Sequence, residues 1–451
     1  MTTDNASQLD EFCAARLTAL EKQDLRRYLA TTKRQGKAQT LHKTLHRANK
    51  PPTLDETRDK ITPIQTEAGA KTPPAQNATQ DKALLSFSCN DYLGLAHHPA
   101  VIQAAQEAAA EYGASAGASR LVTGNHPLFT TLEAQLAELK QTQDCVVFGS
   151  GYLANIGLIP ALATSRDLLL IDELAHACIY AGAQLSGAEI IRFKHNNMAE
   201  LETHLAQRRA AYEKCLLLTD GVFSMDGDLA PLPQMRRLAD QYNAWLITDD
   251  AHGIGVVGGG RGSSFAFQPA VKPDIQMGTL SKAVGSYGGY VCASAIVCAF
   301  LRNRARPFIY STGLPPMSAA AAIAALQLIA TDRRLTEQPL ALARQFCAQI
   351  GLSEPQSPIV PIILRTAKAA LQASMQLAQD GYLVTAIRPP SVPENTARLR
   401  VAFSAAHTIE QVAQFGARVK QILQTIADEK MTDEKMASDI AKPAEPVLQE
   451  K

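Results

Sequence analysis

The sequence predicts an α/β protein with a large domain on a mostly parallel sheet and a smaller C-terminal α+β domain. Three observations predict it. Short apolar runs at 146–148, 168–171, 189–193, 215–219, 245–248, 275–277 and 289–293 are separated, in several cases, by amphipathic stretches such as 231–242. Strands that alternate with helices in this way form a sheet covered on both faces. Beyond an Ala-rich helix at 317–330 the pattern changes, with strands near 359–364 and 398–403 set between helices near 367–380 and 409–427. Finally, 451 residues, 46% of them hydrophobic, give room for two or three domains and a large core.

From the N-terminus, Leu9, Phe12, Leu17, Leu20, Leu25 and Tyr28 recur at helical spacing. Residues 33–80 are rich in Lys, Thr, Gln and Pro with few large apolar side chains, and read as a loop or partly ordered insertion. The last helix opens with Thr408-x-x-Gln411, the spacing of a capping box. The tail after 428 is polar, carries Pro443 and Pro446, and reads as disordered. The expected divisions are 1–85 (helix and extended insertion), 86–315 (large domain), 316–427 (small domain) and 428–451 (tail).

Charge narrows the function. There are 44 basic and 43 acidic residues, a formal net charge of +1. That balance argues against a general nucleic-acid binder, which needs a basic excess to displace counterions. The charge is unevenly spread: 14 basic and 10 acidic residues lie in 1–82, 26 of each in 83–427, and 4 and 7 in 428–451. The basic stretch from Lys33 to Arg47 lacks interleaved aromatics and reads as a solvated loop. No basic-then-apolar signal opens the sequence and no run of about 18 apolar residues spans a membrane, so a cytoplasmic location is expected. None of the eight cysteines forms a CxxC or stands at ligand spacing from a histidine, so neither disulfides nor a metal are expected.

Two motifs mislead. Gly253-Ile-Gly255-Val-Val-Gly258 matches a dinucleotide fingerprint, but the Gly259-Gly260-Arg261-Gly262 that follows does not start the required helix. A dehydrogenase is therefore poorly supported. Gly113-Ala-Ser115-Ala-Gly117 matches a hydrolase nucleophile elbow, yet a helical pattern precedes it where a strand is needed. A Gly/Ser/Ala-rich loop is the better reading.

Four polar motifs follow consecutive strands: Gly149-Ser150-Gly151-Tyr152, Asp220 to Gly227, Asp249-Asp250-Ala251-His252-Gly253, and Gly278 to Gly285 around Lys282. Ligands bind at the carboxyl ends of strands in open parallel sheets. The residue types suit pyridoxal 5'-phosphate, which needs a Schiff-base lysine, an acid on its pyridine nitrogen and a phosphate cradle. Lys282, Asp249 and Ser150-Gly151-Tyr152 would supply them. Any one alone has an ordinary explanation, as a strand-end cap or a surface lysine.

From about 83 to 425 the chain resembles the α-oxoamine synthases, within the fold-type-I pyridoxal-phosphate-dependent transferases. The resemblance rests on Asn90-Asp91-Tyr92-Leu93-Gly94-Leu95, Ser119-Arg120-Leu121-Val122-Thr123-Gly124, Glu173-Leu174-Ala175-His176-Ala177, Gly221 to Asp228, Asp249 to Gly253, and Ser281-Lys282. Thr385-Ala386-Ile387-Arg388-Pro389-Pro390-Ser391-Val392-Pro393, then Thr396-Ala397-Arg398-Leu399-Arg400, points to one member. That member condenses L-alanine with a pimeloyl thioester of CoA or acyl-carrier protein in biotin biosynthesis, releasing CO2 and the thiol.

The resemblance implies residue roles. Lys282 carries the cofactor and moves the Cα proton, His176 stacks on the ring, and Asp249 pairs with the ring nitrogen. His252 and Ser224 lie near the ring oxygen. Thr279 and the amides of Gly151 and Tyr152 hold the phosphate. Ser311 and Thr312 reach the phosphate of a partner subunit, which implies a homodimer. Arg400 clamps the amino-acid carboxylate, a task suited to a planar fork. Asn90 stands close to Lys282, and Ser391 contacts substrate where the family usually has Thr. Arg26, or Arg27 in the alternative register, meets the acyl substrate.

Overall fold

The computed structural model describes residues 8–22, 31–35, 40–44 and 83–440, with side chains described in 8–22 and 83–426. The strands are β1 (Thr31–Gln35), β2 (Thr40–Thr44), β3 (Ala83–Ser86), β4 (Asp144–Phe148), β5 (Leu168–Asp172), β6 (Glu189–Phe193), β7 (Cys215–Asp220), β8 (Trp245–Asp249), β9 (Ile275–Thr279), β10 (Gly289–Ala293), β11 (Ile359–Arg365), β12 (Tyr382–Leu383), β13 (Thr385–Ile387) and β14 (Ala397–Ala402). All seven strands expected for the large domain form one sheet, in the order β4-β10-β9-β8-β7-β5-β6. Pairings from β9 through β6 are parallel, and β10 runs antiparallel to both β9 and β4. The central strands are buried on both faces, as their unbroken apolar runs require.

Helices cover the two faces. On one, Pro316–Thr331 packs against Pro99–Tyr112. Ala319, Ala321, Ala322 and Ala325 are buried there beside Tyr92 and Leu95, and such small side chains permit close helix approach. On the other, Gly151–Leu162 packs against Ala177–Ser186. The smaller sheet, β11-β14-β13, is antiparallel and packs Val360, Leu399 and Val401 against Phe346 and Phe415. The final helix begins with the reciprocal capping box: Thr408 N–H donates to Gln411 Oε1 (3.0 Å) and Gln411 N–H to Thr408 Oγ1 (3.2 Å).

Two expectations differ from the fold. β1 and β2 pair antiparallel across the start of the 33–80 stretch read as a loop or partly ordered insertion, extending a sheet through β3 to β12. The last helix, Ile409–Ile440, continues into the stretch read as a disordered tail. No Gly or Pro interrupts residues 417–442, so the helix meets no breaker before Pro443. Residues 441–451 lie outside the described set.

A buried ion pair braces the turn after β8. Lys140 Nζ lies 2.5 Å from Asp250 Oδ2 and donates to the Arg261 carbonyl at 2.7 Å, with both side chains almost inaccessible. Gly262 closes this turn at φ 105°, and a Cβ there would lie 1.6 Å from Asp250 Oδ2. Breaking a buried pair strands a charge, so Lys140→Met should destabilise the protein by about 3–5 kcal/mol. A lowered midpoint in urea unfolding of the apoprotein checks this.

Candidate active site

The carboxyl ends of β5, β7, β8 and β9, with the turn after β4, surround a cavity of about 250 Å³. Its lining includes Gly151, Tyr152, His176, Asp249, His252, Thr279 and Lys282, all named from the sequence. Larger grooves of about 980 and 580 Å³ are lined by none of Lys282, Asp249 and His176.

Helix Gly151–Leu162 opens onto the cavity. Ser150 caps it by accepting the Leu153 N–H at 3.1 Å. The amides of Gly151 and Tyr152 belong to the first turn, where a helix has no internal acceptors. They are suited to an anion. The cradle is tight: a Cβ at Gly289 would lie 2.4 Å from the Ser150 carbonyl carbon and 2.5 Å from the Gly151 nitrogen. Thr279 sits alongside, its Oγ1 donating to the Gly288 carbonyl at 2.8 Å and lying 2.9 Å from Ser281 Oγ.

Asp249 ends β8 and is buried. Its Oδ1 accepts from Ala251 N–H at 3.0 Å and its Oδ2 from Asn155 Nδ2 at 2.8 Å. Burial raises its pKa, while the charge of Lys282 opposes the rise. Asp220, its register partner at the end of β7, accepts from His176 N–H at 3.1 Å. Burial and the neighbouring Asp249 push Asp220 well above the usual carboxylate range. His176 caps helix Ala177–Ser186, and its Nδ1 accepts from Cys178 N–H at 3.2 Å. Burial lowers its pKa, which favours a neutral ring.

Lys282 starts a chain of hydrogen bonds. Its Nζ lies 2.6 Å from His252 Nε2, and His252 Nδ1 lies 2.7 Å from Tyr92 Oη. The Tyr92 hydroxyl donates to Asn90 Oδ1 at 3.1 Å and accepts from Arg400 Nη2 at 3.1 Å. One assignment satisfies every pair: Lys282 donates to Nε2, and Nδ1–H donates to Tyr92. A neutral His252 is required, and burial, reinforced by Lys282, lowers its pKa far below the ordinary value. Burial lowers Lys282 itself to about 8 against the pull of Asp249 and Asp220.

Arg400, on β14, reaches the site from the small domain. Its Nε donates to the Ser224 carbonyl at 2.5 Å. Two residues earlier, Arg398 Nη1 donates to Asp226 Oδ1 at 2.5 Å. Ser224 is thus met through its carbonyl and does not line the cavity. Ser311 and Thr312 also lie away from it, in a segment where Thr312 bridges to Ser119. Ser391 is exposed on a turn after Pro389-Pro390, its N–H donating to the Arg388 carbonyl at 3.0 Å. Arg26 and Arg27 lie outside the described residues. Asn155, Asp220 and Cys178 line or brace the site without an assigned role from sequence. A strand-end carboxylate at 220 was a visible signal, whereas Asn155 inside a helix was not. The misleading motifs resolve as expected: turns follow Gly253, and Ser115 sits on an exposed loop after helix Pro99–Tyr112.

These residues fit pyridoxal phosphate. A lysine amine with a lowered pKa, a buried carboxylate and an open helix N-terminus share one cavity, matching the cofactor's aldehyde, ring nitrogen and phosphate. Fold and site together define a fold-type-I pyridoxal-phosphate enzyme. The chain belongs to the aminotransferase class I and II family, whose model matches residues 82–419. Among its relatives are 8-amino-7-oxononanoate synthases. That of Maricaulis maris is 59% identical over 76% of this chain and 88% of its own. That of Granulibacter bethesdensis is 50% identical over 93% and 99%. Among solved structures, serine palmitoyltransferase from S. paucimobilis with bound PLP superposes with a TM-score of 0.79 at 26% identity, covering 94% of this chain and 100% of that one. The 8-amino-7-oxononanoate synthase of Francisella tularensis gives 0.63 at 26%, covering 76% and 98%.

Proposed function

We propose that the chain is an 8-amino-7-oxononanoate synthase that joins L-alanine to a pimeloyl thioester in biotin biosynthesis. The supporting observation is the cavity that collects Lys282, Asp249 and His176, with Arg400 linked to Lys282 through Tyr92 and His252, in a chain 50–60% identical to synthases of that name. When bound, pyridoxal phosphate supplies a sink for the electron pair released at the alanine Cα. Lys282 holds the cofactor, and its Nζ takes the Cα proton. Asp249 keeps a proton on the ring nitrogen, and a cationic partner there favours its carboxylate form. His176 presents its neutral ring to the cofactor face. Gly151, Tyr152 and Thr279 hold the phosphate. Ser311 and Thr312 serve the phosphate site of a second subunit in a homodimer.

Arg400 binds the alanine carboxylate, and Asn90 and Ser391 line the path of substrate. The bond then forms between Cα and the acyl carbonyl carbon, and the thiol leaves. The former alanine carboxylate departs as CO2, and a proton returned to Cα gives the product. The thiol carrier is CoA or acyl-carrier protein, with Arg26 or Arg27 meeting the acyl group. No helix among the described residues is long and apolar enough to cross a membrane.

A panel of amino acids and acyl thioesters tests the assignment: L-alanine with pimeloyl thioester should turn over fastest, and preference for glycine would overturn it. Arg400→Ala should raise KM for L-alanine by about tenfold to a hundredfold, the loss expected for charge-assisted hydrogen bonds. Steady-state kinetics at saturating thioester measures this.

A further inference from the structure

His195, between β6 and helix Met198–Arg208, does not line the cavity and belongs to none of the motifs singled out in the sequence, but it meets the one that runs from Gly221 to Asp228. Both ring nitrogens face carboxylates: Nδ1 lies 3.1 Å from Asp172 Oδ1, and Nε2 lies 2.8 Å from Asp228 Oδ2. A neutral imidazole has only one N–H, so donation to both requires the imidazolium. Burial alone would lower its pKa, but hydrogen bonds to Asp172 and Asp228 raise it to about 10. Asn196 extends the clamp, its N–H donating to Asp172 Oδ2 at 2.8 Å and its Nδ2 to Asp228 Oδ2 at 2.9 Å. Phe223 meets the imidazole edge-on, with ring centroids 4.3 Å apart. Asp228 Oδ1 is buried with no hydrogen-bond donor among the described residues, so the imidazolium is its nearby compensation.

The two carboxylates belong to different parts of the site. Asp172 ends β5, four residues before His176. Asp228 closes the 221–228 turn, which Phe223 N–H completes by donating to the Asp228 carbonyl at 3.0 Å. That turn supplies the Ser224 carbonyl to Arg400 and the Asp226 carboxylate to Arg398. It also presses on the small domain at Gly227, where a Cβ would lie 2.1 Å from the Ile359 carbonyl oxygen. One cation therefore ties the His176 strand end to the bearing on which Arg400 rests.

We propose that His195, held between Asp172 and Asp228, is a positioning residue that fixes the 221–228 turn and, through the Ser224 carbonyl, the guanidinium that receives the alanine carboxylate. The proposal rests on the reading of Arg400 given above. His195→Gln in the holoenzyme keeps one donor and removes the charge. Asp228→Asn removes the acceptor charge with little change in shape and serves if the first variant folds poorly. Spectral titration with L-alanine should show affinity weakened about tenfold in either variant, while KM for the thioester moves less than about twofold. Adding either substitution to Arg400→Lys should weaken alanine binding by much less than in the parent, because the two act on one contact. Unchanged alanine affinity in both variants, alongside a loss in Arg400→Lys, overturns the proposal and leaves the function intact. Unchanged affinity in Arg400→Lys itself removes the arginine assignment and the route through Ser224 with it. Equal losses for alanine and thioester would mark a general structural defect and also overturn the proposal.

Discussion

Lys282→Ala is expected to lower turnover by roughly a thousandfold or more, the upper range for loss of a positioned proton-transfer group. Purified variant should also lose the covalent lysine linkage, so borohydride no longer fixes the cofactor to the chain. Turnover within tenfold of the parent would remove Lys282 from its assigned role. The same residue makes a separate prediction about the apoprotein. Burial lowers its pKa from 10.5 to about 8. Between those values the unfolded chain binds more protons than the folded one, so stability rises with pH across that window. Lys282→Met removes this contribution. The stability difference between parent and variant should therefore shift in the parent's favour from about pH 8 to 10.5, then level off. Urea midpoints at a series of pH values read it directly.

Asp249→Ala is expected to reduce turnover by about a hundredfold or more, the usual loss when one preorganised charge facing the reacting group is removed. Folding should be little affected. The replacement leaves Asn155 Nδ2 and Ala251 N–H without their acceptor, but it also relieves burial of a carboxylate whose pKa burial already raises. These contributions have opposite signs and similar size. Near-parental turnover would sink the assignment of Asp249, and thermal melting of the apoprotein separates a catalytic defect from a folding one.

The large sheet was legible because strands buried on both faces are written as continuous apolar runs, such as Leu168–Asp172 and Cys215–Asp220. β1 and β2 were not, since TTKRQ and TLHKT carry almost no apolar signal. β12 and β13 are two and three residues long, and their partners β3 and β14 are distant or later in the chain. The site divides in the same way. Motifs at strand ends announced Lys282, Asp249, His252 and Thr279. Asn155 and His195 matter through contacts made by helix packing and chain juxtaposition, which local sequence does not encode, and Asp220, visible as a strand-end carboxylate, had no role until its register was known. Asp220 meets the site because it is paired with Asp249 across β7 and β8. Ser311, Thr312 and Ser391 were assigned by resemblance, and in the single chain they stand outside the cavity.

The position of β10 has a consequence for biosynthesis. β4 is an edge strand whose neighbour in the sheet is β10, so Cys145 waits for Cys292 before its backbone is paired. The ribosome makes the phosphate cradle early but supplies Gly289, the residue pressed against it, much later. A nascent chain ending before 289 presents β4 as an open edge, the kind of template that recruits other strands.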